Sequence, residues 1–245
     1  LRKNTTASSN TAVGTCSLNA TTTGCQNTAV GMASLDTNTT GDNNVGVGYQ
    51  ALFSNTTADN NSAVGYQALS VNSTGNSNNA FGYRALRCNT TASNNTAVGY
   101  QSLFANTTAD VNTAVGAFSL LSNTTGTKNT SVGKSSLATN TTGYCNTALG
   151  VDALTSATTA NNNTSVGRAA MTTSTTAASN TAMGVSALEG LTTGVNNDAF
   201  GVGAGGSITT GSSNVIFGNN STTSSAGSSN ANGFGLSLSC QDNFT

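Results

Sequence analysis

The chain has 245 residues, of which 6% are charged, and a formal net charge of −1; soluble proteins usually carry roughly 25% charged residues. Its scattered Lys and Arg form no basic stripe for a nucleic-acid backbone, and no apolar run approaches the ~18 residues of a membrane span. Histidine, the commonest general base, is absent, and so is proline, which suits a fold whose backbone N–H groups are mostly needed for ladders.

From the N-terminus, Asn4-Thr5-Thr6-Ala7 reads as the second half of a repeat. Together with a start at Leu1 it predicts a processed or truncated N-terminus. From Gly14 onward a glycine recurs every 17 residues, 14 times without insertion, to Gly235. A fixed period near 20 is the mark of a solenoid, each repeat forming one coil. Disorder is the default for so polar a chain, but disordered tracts do not hold Val and Leu in register over many repeats.

With each anchor glycine numbered zero, position −4 is Asn in 13 of 14 repeats and −1 is always apolar, from Val13 to Phe234. Position −2 is mostly Ala, +3 is Ala or Ser in all but the last repeat, and +4 is Leu or Met from Leu18 to Leu188. Positions +7 to +10 read Asn-Thr-Thr-Gly/Ala through most of the chain. Thr-Ala-Val-Gly-Tyr favours a strand, and 17 residues less two turns leave no room for a helical pattern. The expected fold is all-β: a parallel β-solenoid, or β-roll, of about 14 coils. Two strands of four or five residues per coil are expected, with Val rows on one sheet and Leu rows on the other. At about 4.8 Å per coil the stack would measure roughly 65 Å. The anchor glycine is expected where a Cβ would clash or φ must be positive.

Residues 1–200 read as the regular solenoid and 201–245 as degenerate repeats forming a cap or a subunit joint. In the latter the Leu position becomes Gly205, Thr222 and Ser239, and −1 becomes Phe200, Phe217 and Phe234. An uncapped end is an open sheet edge that invites another chain.

Asn4, Asn38, Asn55, Asn72, Asn89, Asn106, Asn123 and Asn140 head N-x-S/T sequons at +7. They are candidate N-glycosylation sites on one turn of successive coils. The same tetrapeptide is also a good plain turn, and both readings stand. Asn19, Asn60, Asn94, Asn129, Asn162, Asn163, Asn219, Asn220 and Asn243 add further matches, and the dense Thr and Ser are O-linked acceptors in principle. Cys16 and Cys25 share a coil and form a candidate disulfide. Cys88, Cys145 and Cys240 are too many coils apart to pair within a straight stack and are candidate interchain thiols.

No metal spacing, cofactor site or catalytic pair emerges, and the chain does not read as an enzyme. Gly201-Val-Gly-Ala-Gly-Gly206 matches a dinucleotide fingerprint, but its first glycine is the register glycine and no helix start follows. Tyr49, Tyr66, Tyr83 and Tyr100 share one position over four coils and read as a stacked ladder, or else as a sugar-binding strip.

The Asn-Thr-Ala-Val-Gly-Tyr-Gln-Ala-Leu…Asn-Thr-Thr-Gly repeat resembles repeats of phage tail-fibre-like and bacterial surface proteins. More distantly it resembles the head repeats of trimeric autotransporter adhesins, which are shorter than 17 residues. That resemblance implies parallel β-rolls, trimers and adhesion. Two functions follow as expectations, both extracellular or at a cell surface. One is a structural subunit of a glycosylated fibre joined end to end. The other is the shaft of a trimeric adhesin or tail fibre, with an apolar seam. Ice binding is a lesser alternative, because Thr at +8 and +9 should point to opposite faces.

Overall fold

A computed structural model describes residues 2–237 and 239–240. The described residues are all-β, with no helix, and form the expected parallel β-solenoid. The chain divides into two compact units, Leu1–Thr125 and Gly126–Thr245. In the first, β1 (Thr11–Val13), β2 (Thr28–Val30), β3 (Val45–Val47), β4 (Ser62–Val64), β5 (Asn79–Phe81), β6 (Thr96–Val98) and β7 (Thr113–Val115) follow in order. Each pairs in parallel with the next, residue i against residue i+17. In the second, β8 (Thr130–Val132), β9 (Thr147–Leu149), β10 (Thr164–Val166), β11 (Thr181–Met183), β12 (Asp198–Phe200), β13 (Val215–Phe217) and β15 (Asn232–Phe234) do the same. A second, two-stranded sheet joins β14 (Thr222–Thr223) to β16 (Ser239–Cys240). The 17-residue register therefore persists beyond residue 200, where the sequence degenerates.

Two local expectations are overturned. Regular coils carry one three-residue strand rather than two longer ones, and the valines do not face the core. Side chains alternate along a strand, so one of three points inward, and it is the −2 residue. Ala29, Ala63 and Ala97 are buried, while Val64 and Val98 beside them are exposed. The Leu segment is not a strand either. Residues +2 and +4 adopt left-handed φ, as in Gln67 (52°) and Leu69 (51°), whereas the +3 residue between them does not. That alternation bends the chain into an arc and turns both Ala68 and Leu69 inward. A left-handed Leu costs roughly 1–2 kcal/mol; complete burial of its side chain contributes about 1.5–3 kcal/mol, enough to offset it.

The remaining core is amide. In coil after coil the +10 carbonyl turns inward and accepts from two asparagines of its own repeat. Gly75 O receives Asn61 Nδ2 and Asn72 Nδ2, each at 2.9 Å. The +7 asparagines also bond to each other, Asn72 Nδ2 donating to Asn55 Oδ1 at 3.1 Å and Asn89 Nδ2 to Asn72 Oδ1 at 2.8 Å. The −4 asparagines accept from the next coil's backbone, Asn78 N donating to Asn61 Oδ1 at 2.9 Å. The +7 run stops at Asn140, because Ala157 in the following coil has no amide to donate. Thr21 and Ser174, in the same column outside the run, bury hydroxyls without a partner.

The anchor glycine answers to both expected constraints. At Gly99 φ is +135°, and a Cβ would stand 2.6 Å from the carbonyl carbon and oxygen of Gly116 in the next coil. Gly99→Val is expected to cost about 2–5 kcal/mol through strain and overlap together. Asn72→Ala should cost about 1–3 kcal/mol, because it leaves buried partners unsatisfied. Denaturant unfolding measures both; a wild-type midpoint for either variant would contradict the assigned role.

Candidate functional site

The sequon asparagines at +7 from Asn38 onward face inward. Asn38, Asn55, Asn72, Asn89, Asn106, Asn123 and Asn140 are buried at 0% exposure. The Nδ2 atom that a glycan would occupy donates inward, as Asn55 Nδ2 does to Ala58 O and Asn38 Oδ1, both at 2.9 Å. The folded coil has neither the hydrogen nor the space for a glycan there. Asn4 is exposed, although its Nδ2 still bonds Ala7 O. Of the further sequons, Asn60, Asn94, Asn162, Asn219 and Asn220 stand at the surface, whereas Asn129 and Asn163 are buried. The sequence pointed to Asn stacks as a source of order, but not to the +7 sequon asparagines as one of them, because a turn Asn and a core Asn share one tetrapeptide.

Cys16 and Cys25 are free thiols rather than a disulfide. Cys25 Sγ is engaged locally, accepting from Ser8 N at 3.4 Å and donating to Thr23 O at 3.2 Å. Cys88 is a half-buried free thiol and Cys145 an exposed one. The side chain of Cys240, with Asp242 and Asn243, lies outside the described residues.

Asp42, Asp59 and Asp110 serve the coil backbone. Asp42 Oδ1 accepts from Cys25 N at 2.6 Å, and Asp59 Oδ1 from Asp42 N at 2.8 Å. Gly201–Gly206 spends its N–H groups on coil bonds, Gly203 N to Val185 O and Gly205 N to Ser221 O, so none of those two cradles a phosphate. Among the described residues there is no group of three His, Cys, Asp or Glu able to hold a metal ion, no enclosed pocket and no helix long and apolar enough to cross a membrane.

What the surface does present is an apolar stripe built from two columns, −1 at the end of each strand and +1 just past the anchor glycine. In the first unit Val64, Phe81 and Val98 fill one column and Tyr66, Tyr83 and Tyr100 the other, all exposed. Tyr49, Tyr66, Tyr83 and Tyr100 stack with centroids 5.1–5.2 Å apart and planes within 15°, a geometry that offset aromatic pairs favour. The ladder reading of that row is the one the geometry supports. Arg84 covers its middle, with Cζ 5.1 Å from the Tyr83 ring centroid and Nε donating to Gln67 Oε1 at 3.1 Å. In the second unit Phe200, Phe217 and Phe234 stack at −1, centroids 4.6 and 5.2 Å apart, while Lys134 and Arg168 interrupt the +1 column.

No family model, curated protein or solved structure matches the chain.

Peptide mass mapping of protein from its source is expected to find Asn55, Asn72, Asn89 and Asn106 unmodified. Any N-glycan should fall on exposed Asn60, Asn94 or Asn162. A glycan on Asn72 in folded protein would contradict the inward amide ladder.

Proposed function

We propose that the chain is a non-catalytic structural module of an extracellular fibre, and that copies of it pack side by side along the apolar stripe. The two-column stripe of the first unit carries this proposal. Scattered exposed apolar residues are ordinary, but contiguous apolar patches beyond a few hundred Å² mark interaction surfaces. The stripe of the first unit is long and repetitive and carries one cation, Arg84 over Tyr83, so two copies meet without like-charge repulsion when the two Arg84 side chains are offset. Identical columns also give complementary rows at every coil. This favours the shaft of an adhesin-like or tail-fibre-like assembly, in keeping with the resemblance of the repeat, over rods joined only end to end.

End-to-end joining is a second reading, favoured by the last coils. Phe234 and Leu236 are 67% and 73% exposed, and among the described residues β15 is the last strand of the main sheet. Cys16 and Cys145 are the exposed thiols among the described residues, and either is open to a bond between copies.

Sedimentation velocity tests the side-by-side proposal. The wild-type chain should sediment as a discrete multimer. A Val64→Glu/Val98→Glu variant, altered only on exposed positions, should sediment as a monomer with an unchanged circular dichroism spectrum. A monomeric wild type, or a variant that still assembles, would remove the stripe as the interface.

A further inference from the structure

One surface column keeps a single residue type over twelve coils without a structural use for its functional group. Position +9 is threonine in every coil from Thr23 to Thr125 and again from Thr142 to Thr210, twelve of twelve. Every one of these threonines is exposed. None of their hydroxyls takes part in a hydrogen bond within the chain: Thr57 and Thr91 contribute only backbone atoms, if any, to the coil.

The neighbouring column is the contrast. The +8 hydroxyls are built into the coil, Thr39 Oγ1 donating to Thr56 O at 2.9 Å and Thr90 Oγ1 to Thr107 O at 3.0 Å. Over these twelve coils +8 tolerates Ser73, whereas the idle +9 hydroxyl does not change until Gly227 in the degenerate C-terminal repeats. Other exposed columns drift freely: −5 runs through Gln26, Asn94, Val111, Lys128, Cys145 and Ser179. An exposed group that the fold does not use, held constant where its neighbours vary, points to a use outside the fold.

We propose that the +9 threonines are the acceptors of O-linked sugars, so that each unit carries one glycan-bearing edge. In the transfer, threonine Oγ1 attacks the anomeric carbon of an activated sugar phosphate donor. The bond from that carbon to the donor phosphate oxygen breaks, the phosphate leaving with the electron pair. The hydroxyl proton passes to a base of the transferase. A neutral substituent suits the column better than phosphate does. Successive coils stand about 4.8 Å apart, so phosphates would stack charge on charge, and the whole chain has only seven Lys and Arg to compensate. A neutral, strongly hydrated coat also supplies the solubility that a 6% charged surface does not.

The test has three parts. Electron-transfer fragmentation of protein from its source should place hexose- or N-acetylhexosamine-sized increments on +9 threonines and none on Thr56 or Thr90. Thr57→Val/Thr74→Val/Thr91→Val, expressed in the same source, keeps the β-branch. It should lose the increments of those three residues and unfold, after enzymatic deglycosylation, at the wild-type temperature. The unmodified chain should show no thermal hysteresis. Bare +9 threonines, or equal occupancy at +8, would overturn the proposal. A lowered unfolding temperature of the deglycosylated variant would assign the invariance to the fold instead. Thermal hysteresis abolished by the triple variant would assign it to ordered water. The +9 column lies eight residues along the coil from +1, so these outcomes do not depend on whether copies pack on the stripe.

Discussion

The inward-turned carbonyl at +10 is the constraint around which each coil is organised. A buried backbone carbonyl without a donor costs much of a hydrogen bond, and a 17-residue coil that closes on itself cannot avoid turning one inward. Two asparagine amides per coil resolve it, as Asn44 and Asn55 do for Ala58 O. Each amide has a spare oxygen, and the next coil uses it. The −4 asparagines take a backbone N–H from the following coil, and the +7 asparagines take an amide. Satisfying one carbonyl thus links each coil to its neighbour. Stacked amide ladders of this kind stabilise other parallel arrays as well.

The small apolar core follows from the same geometry. With amides filling two columns, there is space for one Leu and two small residues per coil, and Leu69, Ala68 and Ala63 are the pattern. Larger apolar residues go outside. Valine at −1 and tyrosine at +1 are excluded from a core that has no volume for them, and they line the surface in register. The stripe is therefore a by-product of the amide core as much as a separate device. The coil that buries asparagine must expose valine.

The surface divides into columns of different character because every coil repeats the same turns. Carboxylates and amides at −6 cap backbone N–H groups of the preceding coil, as Asp59 does for Asp42. Hydroxyls at +8 extend the ladder. The apolar stripe and the +9 hydroxyl column stand outside these duties and keep their character from coil to coil, and the functional proposals rest on those two. Neither forms an enclosed site, in keeping with a molecule whose chemistry is spread along its coils.

The sequence by itself determined the period, the parallel all-β solenoid and the register glycines. Spacing alone carries those: a residue that recurs every 17 positions must stack on its own image. It also marked Tyr49 to Tyr100 as a ladder. Which way each column points was decided only by the tertiary structure. A Thr-Ala-Val segment alternates either way round, and apolar valine is the natural choice for the interior until three-residue strands and an amide core leave room only for alanine. Likewise Asn-Thr-Thr-Gly is the same string whether its asparagine faces water or a buried carbonyl. The left-handed arc through Leu69 and the inward carbonyl of Gly75 placed that asparagine inside, where it holds the coils together.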